Sequence, residues 1–397
     1  MTDASLASAQ SLKDAADRAA QGGDLRRARD LLSQAVAIGP GDPGLWMSLA
    51  ACNRALGDLA GAMTAVEAAL KLEPRLFVAL LLRASLLERA GEARAAAVAY
   101  GIALTQTPRA ETLNEPTRKA LEHGQRLHAR YLDELQAALA DEAKETRGLC
   151  SASEARRVDM FRDQIAGKRK IYQQEPVTFH YPGLPAIEFY DREEFDWLEG
   201  LESHTAAMRE EFLAAMAEDG DLTVPYIDYP DGVPLDQWAE LNRSPRWSAL
   251  HLHRDGQPVA ENARRCPRTM QALATAPQPQ VLNRSPASMF SVLQPRTHIP
   301  PHTGVANTRL VAHLPLIVPE GCGFRVGGET RAWREGEAWV FDDTINHEAW
   351  NDSDRPRTIL IFDVWSPRIS PAERAAIATL MAAIDRFNGA PSGQGEL

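Results

Sequence analysis

The chain has 397 residues, 43 of them basic and 54 acidic, for a formal net charge of −11. With 44% hydrophobic and 24% charged residues it reads as a globular protein of two or three ordinary domains, which excludes disorder, collagen or coiled coil as a description of the whole. The acidic balance argues against a protein that grips nucleic acid by its phosphates or lies on anionic lipid, and no run reaches the ~20 apolar residues of a membrane span.

The opening stretch MTDASLASAQSLKDAADRAA lacks the basic and then apolar pattern of a secretory signal. Cys52, Cys150, Cys266 and Cys322 are far apart and form no Cys-x-x-Cys pair. A reducing, cytoplasmic setting without a zinc knuckle or disulfide framework is the expectation.

Internal repetition comes next in chain order. Gly23, Gly57 and Gly91 are each 34 positions apart, as are Pro40, Pro74 and Pro108. So are Ala28, Ala62 and Ala96, and again Ala35, Ala69 and Ala103. Glycine followed by Asp or Glu suits the tight turn between two helices, alanine suits a close helix approach, and proline ends the second helix of each unit. The period and these columns resemble the tetratricopeptide repeat over residues 8–108, an all-α solenoid whose concave face binds extended peptides. The alternative is an array that only supports the rest of the chain. Residues 110–147 then read as a capping and linking helix, with His123 and His128 facing solvent, inside a linking region of 109–178.

From about Phe179 the texture changes to Pro, Gly, Trp and β-branched residues, interrupted by one amphipathic helix over 196–218. After Met289 the segments MFSVLQ, TRLVAHLPLIV, GFRVG, TRAW, EAWVFD, HEAWN and RTILIFDVW read as short strands separated by turns, the pattern of a jelly roll over 179–397. Trp333, Trp339, Trp350 and Trp365 read as sandwich core. Ser370, Pro371 and Glu373 form a capping box that starts a last helix. The fold class is therefore α+β, an N-terminal helical solenoid followed by a double-stranded β-helix with flanking helices.

Six of the ten histidines fall between 251 and 347. Imidazoles on strands, without zinc-type cysteines, point to Fe(II), Mn, Cu or Ni. A mononuclear iron oxygenase needs two imidazoles, usually one carboxylate, open positions, and a cation to hold the far carboxylate of 2-oxoglutarate. Arg357 lies ten residues beyond His347 across the turn NDSDRP, so both side chains can enter one cavity. The first imidazole is either His302, in HIPPHTG, or His253, whose His-x-Asp pair with Asp255 fits the carboxylate-bearing triad better; spacing alone leaves both open. His298 sits in a proline-rich loop, and Asp342 and Asp343 lie on a turn before His347, where one can orient an imidazole or merely face solvent.

The stretches FHYPGLPAIEFY, NARRCPRTMQAL, FSVLQPRTHIPPHTGVANTRLVAHLPLIVPEGCGFRVGGETRAWREGEAWVFDDTINHEAWND and RTILIFDVWSP resemble the aspartyl/asparaginyl β-hydroxylase family of Fe(II)/2-oxoglutarate dioxygenases. The resemblance covers residues 179–366, and tetratricopeptide repeats also precede this domain in the family. It implies His302 and His347 as the iron ligands and Ser291 and Arg357 as the pair holding the distal carboxylate of 2-oxoglutarate. It further implies His313 at the inner end of that cosubstrate and Arg309 as a substrate-binding arginine. Two residues after His302 stands Gly304, so no carboxylate ligand is present there, a gap the family shares. The second arginine of the Arg-x-Arg-x-His pattern is replaced by Val311, which removes a bidentate grip on a carboxylate.

The implied function is hydroxylation of an Asp/Asn-like side chain in a peptide or protein, with Fe(II), 2-oxoglutarate and O2, on a partner presented by the repeats. Halogenation at the place left open by Gly304 and a non-catalytic repeat scaffold are the alternatives.

Overall fold

The computed structural model describes residues 3–109, 113–220 and 222–389, and the chain divides into two compact units, Met1–Lys168 and Arg169–Leu397. The expected linking helix and C-terminal domain therefore include two stretches, 110–112 and 390–397, that lie outside the described residues.

In the first unit three helix pairs follow the repeat columns: α1 (Asp3–Gln21) with α2 (Leu25–Ile38), α3 (Pro43–Ala55) with α4 (Leu59–Leu72), and α5 (Phe77–Arg89) with α6 (Ala93–Leu104). Gly23, Gly57 and Gly91 turn the chain within each pair at φ of +85°, +82° and +82°, where a β-carbon is strained. Asp24 and Asp58 cap the helices that follow, accepting from the backbone N–H of Arg27 and Gly61. All six repeat alanines are at most 1% exposed, because the helices meet on them.

Helix α7 (Glu115–Glu142) covers the last pair. Its two histidines do more than face solvent. His128 fits against Gly101 and its Nδ1–H donates to Ala97 O at 3.0 Å. His123 bonds Glu88 Oε1 at 2.8 Å, and Glu88 Oε2 accepts from Tyr100 Oη at 2.9 Å. A short helix α8 (Lys144–Arg147) and a further helix α9 (Ala152–Ile165) follow, the latter started by a Ser151/Glu154 capping box.

Residues 169–178, expected to belong to the linking helices, instead run along the second unit. Glu175 N–H donates to Thr344 O (2.8 Å) and Val177 N–H to Gly304 O (2.9 Å), while Arg169 pairs with Glu188. The backbone groups of this segment are satisfied by neighbouring chain rather than by a helix.

The helix expected over 196–218 is two: α10 (Leu198–Glu202) and α11 (Thr205–Glu218). Ser203 Oγ and His204 Nδ1 both bond Gly200 O, at 2.7 and 2.9 Å, and stop the first. There follow β1 (Val224–Pro225), β2 (Trp247–Arg254), β3 (Gln257–Pro258), α12 (Ala260–Arg265) and α13 (Pro267–Leu273). The strand-rich part comprises β4 (Ser288–Leu293), β5 (Thr297–His302), β6 (Arg309–Ile317), β7 (Cys322–Val326), β8 (Glu329–Arg331), β9 (Trp339–Phe341), β10 (His347–Asn351) and β11 (Arg357–Trp365). Helix α14 (Pro371–Asn388) closes the chain with the expected Ser370/Glu373 capping box.

All pairings among the named strands are antiparallel. One sheet runs β1-β2-β4-β11-β6-β9 with β3 on β2, the other β5-β10-β7-β8. Alternation along the strands builds two cores. Leu250, Phe290, Leu310, Leu314, Leu360 and Phe362 point to α10, α11 and α13. On the opposite face Trp247, Val311, Phe341, Ile359 and Ile361 meet Ile299, Phe324, Val326 and Ala349 of the smaller sheet. The chain thus joins tetratricopeptide-type helix pairs to a two-sheet antiparallel sandwich. Trp333 and Trp339 lie in the inter-sheet core, as expected, whereas Trp350 covers Gly323 and Trp365 packs with Ile369 and Ile377 beside α14.

Candidate active site

The stretch read as a proline-rich loop around His298 and His302 is strand β5. It lies at the edge of the smaller sheet, where Pro300 and Pro301 remove no needed ladder bond. There His302 becomes the cross-strand partner of His347 at the start of β10. Forty-five positions apart in the chain, the two rings have centroids 4.0 Å apart.

Each ring is oriented in the same way. His302 Nδ1 is 2.7 Å from Pro300 O and His347 Nδ1 is 3.0 Å from Ile345 O. A carbonyl only accepts, so both Nδ1 atoms carry the proton and both Nε2 lone pairs remain for a ligand. Burial pushes the imidazole of His302 down to about 3 and that of His347 to about 4, which keeps both neutral. Neutral rings held by backbone carbonyls are what a transition metal requires.

Gly304 stands where a third ligand would hang. A β-carbon there would collide with the carboxylate of Asp343, and Gly304 N–H donates to Asp343 O at 2.6 Å. Asp343 is 2% exposed, its Oδ2 accepts from Arg309 Nη1 at 3.1 Å, and its Oδ1 has no partner among the described residues. Burial pushes this carboxyl upward, against the pull of Arg309. Among the described residues no group of three His, Cys, Asp or Glu side chains is placed to hold a metal, so the protein offers the two imidazoles.

Across the same cavity lies Arg357, the first residue of β11, 1% exposed, with its guanidinium 4.9 Å over the Trp333 ring. Its Nε has no partner among the described residues, and burial pulls the guanidinium down to about 10. Ser291 Oγ accepts from Trp247 Nε1 at 3.1 Å, which leaves the hydroxyl proton free to donate. His313, whose Nδ1 also lacks a partner among the described residues, is held well below its ordinary value by burial and then by Arg357. The cavity, about 460 Å³ with its mouth included, is bounded by these six polar side chains (Ser291, His302, His313, Asp343, His347 and Arg357) and by aromatic and aliphatic walls.

Buried polar atoms are almost always paired. Here His313 Nδ1, Arg357 Nε and Asp343 Oδ1 belong to residues lining one cavity and are not. Two open Nε2 positions and a guanidinium opposite them fit a divalent metal chelated by a dicarboxylic 2-oxo acid.

The rival pair does not assemble there. His253 bonds Ser288 Oγ at 2.8 Å, and Asp255 sits exposed on the turn between β2 and β3 at φ +52°. His251 is on β2 and its burial holds it near 4. His298 bonds Glu348 at the surface. Asp342 is not solvated: it is fully buried, accepting from Thr344 and from Gln174 of the segment that precedes Phe179. Sequence reasoning missed Trp247 and Tyr226, whose rings stack at 3.8 Å over the site. The alternation Trp247, Ala249, His251 on β2 was the available signal.

A family model described as aspartyl/asparaginyl beta-hydroxylase matches residues 202–367, and one described as tetratricopeptide repeat matches residues 19–86. The chain is 32% identical over 206 residues to the human aspartyl/asparaginyl beta-hydroxylase, covering 51% of this chain and 26% of that protein. It is 31% identical to the human aspartate beta-hydroxylase domain-containing protein 2, covering 53% and 55%. It is also 31% identical to an ornithine lipid ester-linked acyl 2-hydroxylase of Rhizobium tropici, covering 53% and 72%. This chain spans from about a quarter to just over half of the two human relatives. Fold and site together define a repeat-bearing sandwich of the hydroxylase kind. The chain belongs to the aspartyl/asparaginyl beta-hydroxylase family.

Proposed function

We propose that the second unit is an Fe(II)- and 2-oxoglutarate-dependent dioxygenase that hydroxylates an amino-acid side chain of a peptide or protein. One observation carries the reading: two neutral imidazoles lie side by side in one cavity with a buried guanidinium whose Nε has no partner among the described residues. When bound, Fe(II) and 2-oxoglutarate supply the oxidative chemistry: one atom of O2 enters a substrate C–H bond, the other enters succinate, and CO2 leaves.

The protein's own part is placement. His302 and His347 would hold the metal, their Nδ1–H groups fixed by Pro300 and Ile345. Arg357 and the Ser291 hydroxyl would hold the distal carboxylate, with Trp247 setting the direction in which that hydroxyl donates. His313, neutral, would stand beside Arg357 at the inner end. The aromatic walls keep water from the reacting group. The repeat pairs of the first unit suit an extended peptide, so the substrate is read as a peptide segment.

Halogenation fits less well, because a halide beside Gly304 would meet the Asp343 carboxylate. An inert scaffold fits less well too, because four buried polar atoms of the cavity lining, Trp333 Nε1 among them, would stay unpaired among the described residues without return. Incubation with Fe(II), ascorbate and 2-oxoglutarate tests the reading: succinate is expected, and its absence with metal bound contradicts it.

A further inference from the structure

The reacting end of the cavity has an unusual charge balance. Of the described residues lining it, Arg357 is the one guanidinium and Asp343 the one carboxylate. A dicarboxylic cosubstrate takes Arg357. What remains for a substrate is the wall formed by Val311, Ile299, Ile361 and Tyr226, with the Asp343 carboxylate beside it.

Arg309 does not supply the missing cation. It is 9% exposed and bonded to Asp343, and a second buried carboxylate, Asp363, also acts on it. One cation facing two carboxylates leaves no net positive charge to offer. Turning Arg309 toward a ligand carboxylate would strand Asp343 unpaired in a buried site, which is costly. Val311, which pairs with Phe341 on one side and Asp363 on the other, has its side chain in the apolar inter-sheet core. An acidic side chain entering here would lose its hydration and meet a like charge.

Resting on the dioxygenase reading above, we infer that the group hydroxylated is an uncharged aliphatic side chain, selected by Val311 and by the neutralisation of Arg309 through Asp343. Specificity of this kind works as much by rejection as by attraction. The acidic side chain is excluded by the Asp343 carboxylate, whose Oδ1 has no partner among the described residues, and the aliphatic one is accepted by apolar contact.

The test uses the full chain loaded with Mn(II) and 2-oxoglutarate, titrated calorimetrically with N-acetyl-leucine methylamide or N-acetyl-aspartate methylamide. The leucine derivative is expected to bind at least about tenfold more tightly, and Val311→Arg to reverse the order by a similar factor. Equal or tighter binding of the aspartate derivative by the unaltered protein overturns the inference, as does binding of neither derivative once cosubstrate is bound. A parallel titration of 2-oxoglutarate into the Mn(II) protein separates this failure from that of the dioxygenase reading, which alone predicts cosubstrate binding. The wild-type comparison stands even if Val311→Arg does not fold.

Discussion

Asp343 fills the space over Gly304: the carboxylate occupies the volume in which a side chain at 304 would begin, and Gly304 N–H is bonded to Asp343 O. The absence of a ligand side chain at 304 is thus a consequence of packing. Gly304→Ala must push the Asp343–Arg309 pair aside, at an expected cost of about 1–3 kcal/mol. Thermal unfolding should show a lower melting temperature, with a shift of several degrees; an unchanged value would mean that Asp343 moves freely.

His302→Ala and His347→Ala each remove one of two imidazoles. Calorimetric titration with Mn(II) should show affinity reduced by more than about a hundredfold, and succinate formation should fall in parallel. Retained affinity in either variant would mean that the metal sits elsewhere.

Arg357→Leu removes the guanidinium opposite the imidazoles but leaves the imidazoles intact. Mn(II) binding should survive while the 2-oxoglutarate requirement rises by about a hundredfold, the scale of losing a buried charge-assisted pair. Equal loss of metal and cosubstrate binding would point to general unfolding of the sandwich.

His251 gives a pH dependence whose sign is set by burial. Its imidazole is near 4 in the folded protein against 6.5 when unfolded, so below 6.5 the unfolded chain takes up the proton first. The folded state loses stability as pH falls from 6.5 to 4. His251→Leu should flatten that part of the stability curve relative to wild type, measured by urea unfolding across the window. An identical slope in both proteins would refute the burial argument.

In the first unit Ala62 is 0% exposed at a helix contact. Ala62→Leu should destabilise this unit by about 1–3 kcal/mol through overpacking, read from its denaturant midpoint.

What was legible in the sequence was whatever repeats or alternates. The glycine and alanine columns marked turns and helix contacts because those positions admit only small residues. The strands β6 and β11 were visible as apolar runs because both faces are covered. The capping box at Ser370 was readable because its bonds are local. Strand β5 was hidden because its prolines deny the usual strand signal, and they are tolerated only at an edge that sequence cannot reveal. The extended path of 169–178 was hidden for a related reason: its hydrogen bonds go to Gly304 and Thr344, far along the chain. For the site, residue spacing left His302 and His253 undecided, and only the register of β5 on β10 distinguishes them geometrically. The Asp343–Arg309 pair, 34 positions apart, carries no local pattern at all.

In the proposed enzyme His302 and His347 share one ferrous ion in the cavity that Arg357 lines. Anaerobic addition of Fe(II) and then 2-oxoglutarate, followed by visible absorption, tests it most directly. The charge-transfer band of a ferrous 2-oxo-acid chelate should appear in the unaltered protein and be absent from the His302→Ala/His347→Ala double variant. The same band at full intensity in the double variant would contradict the account.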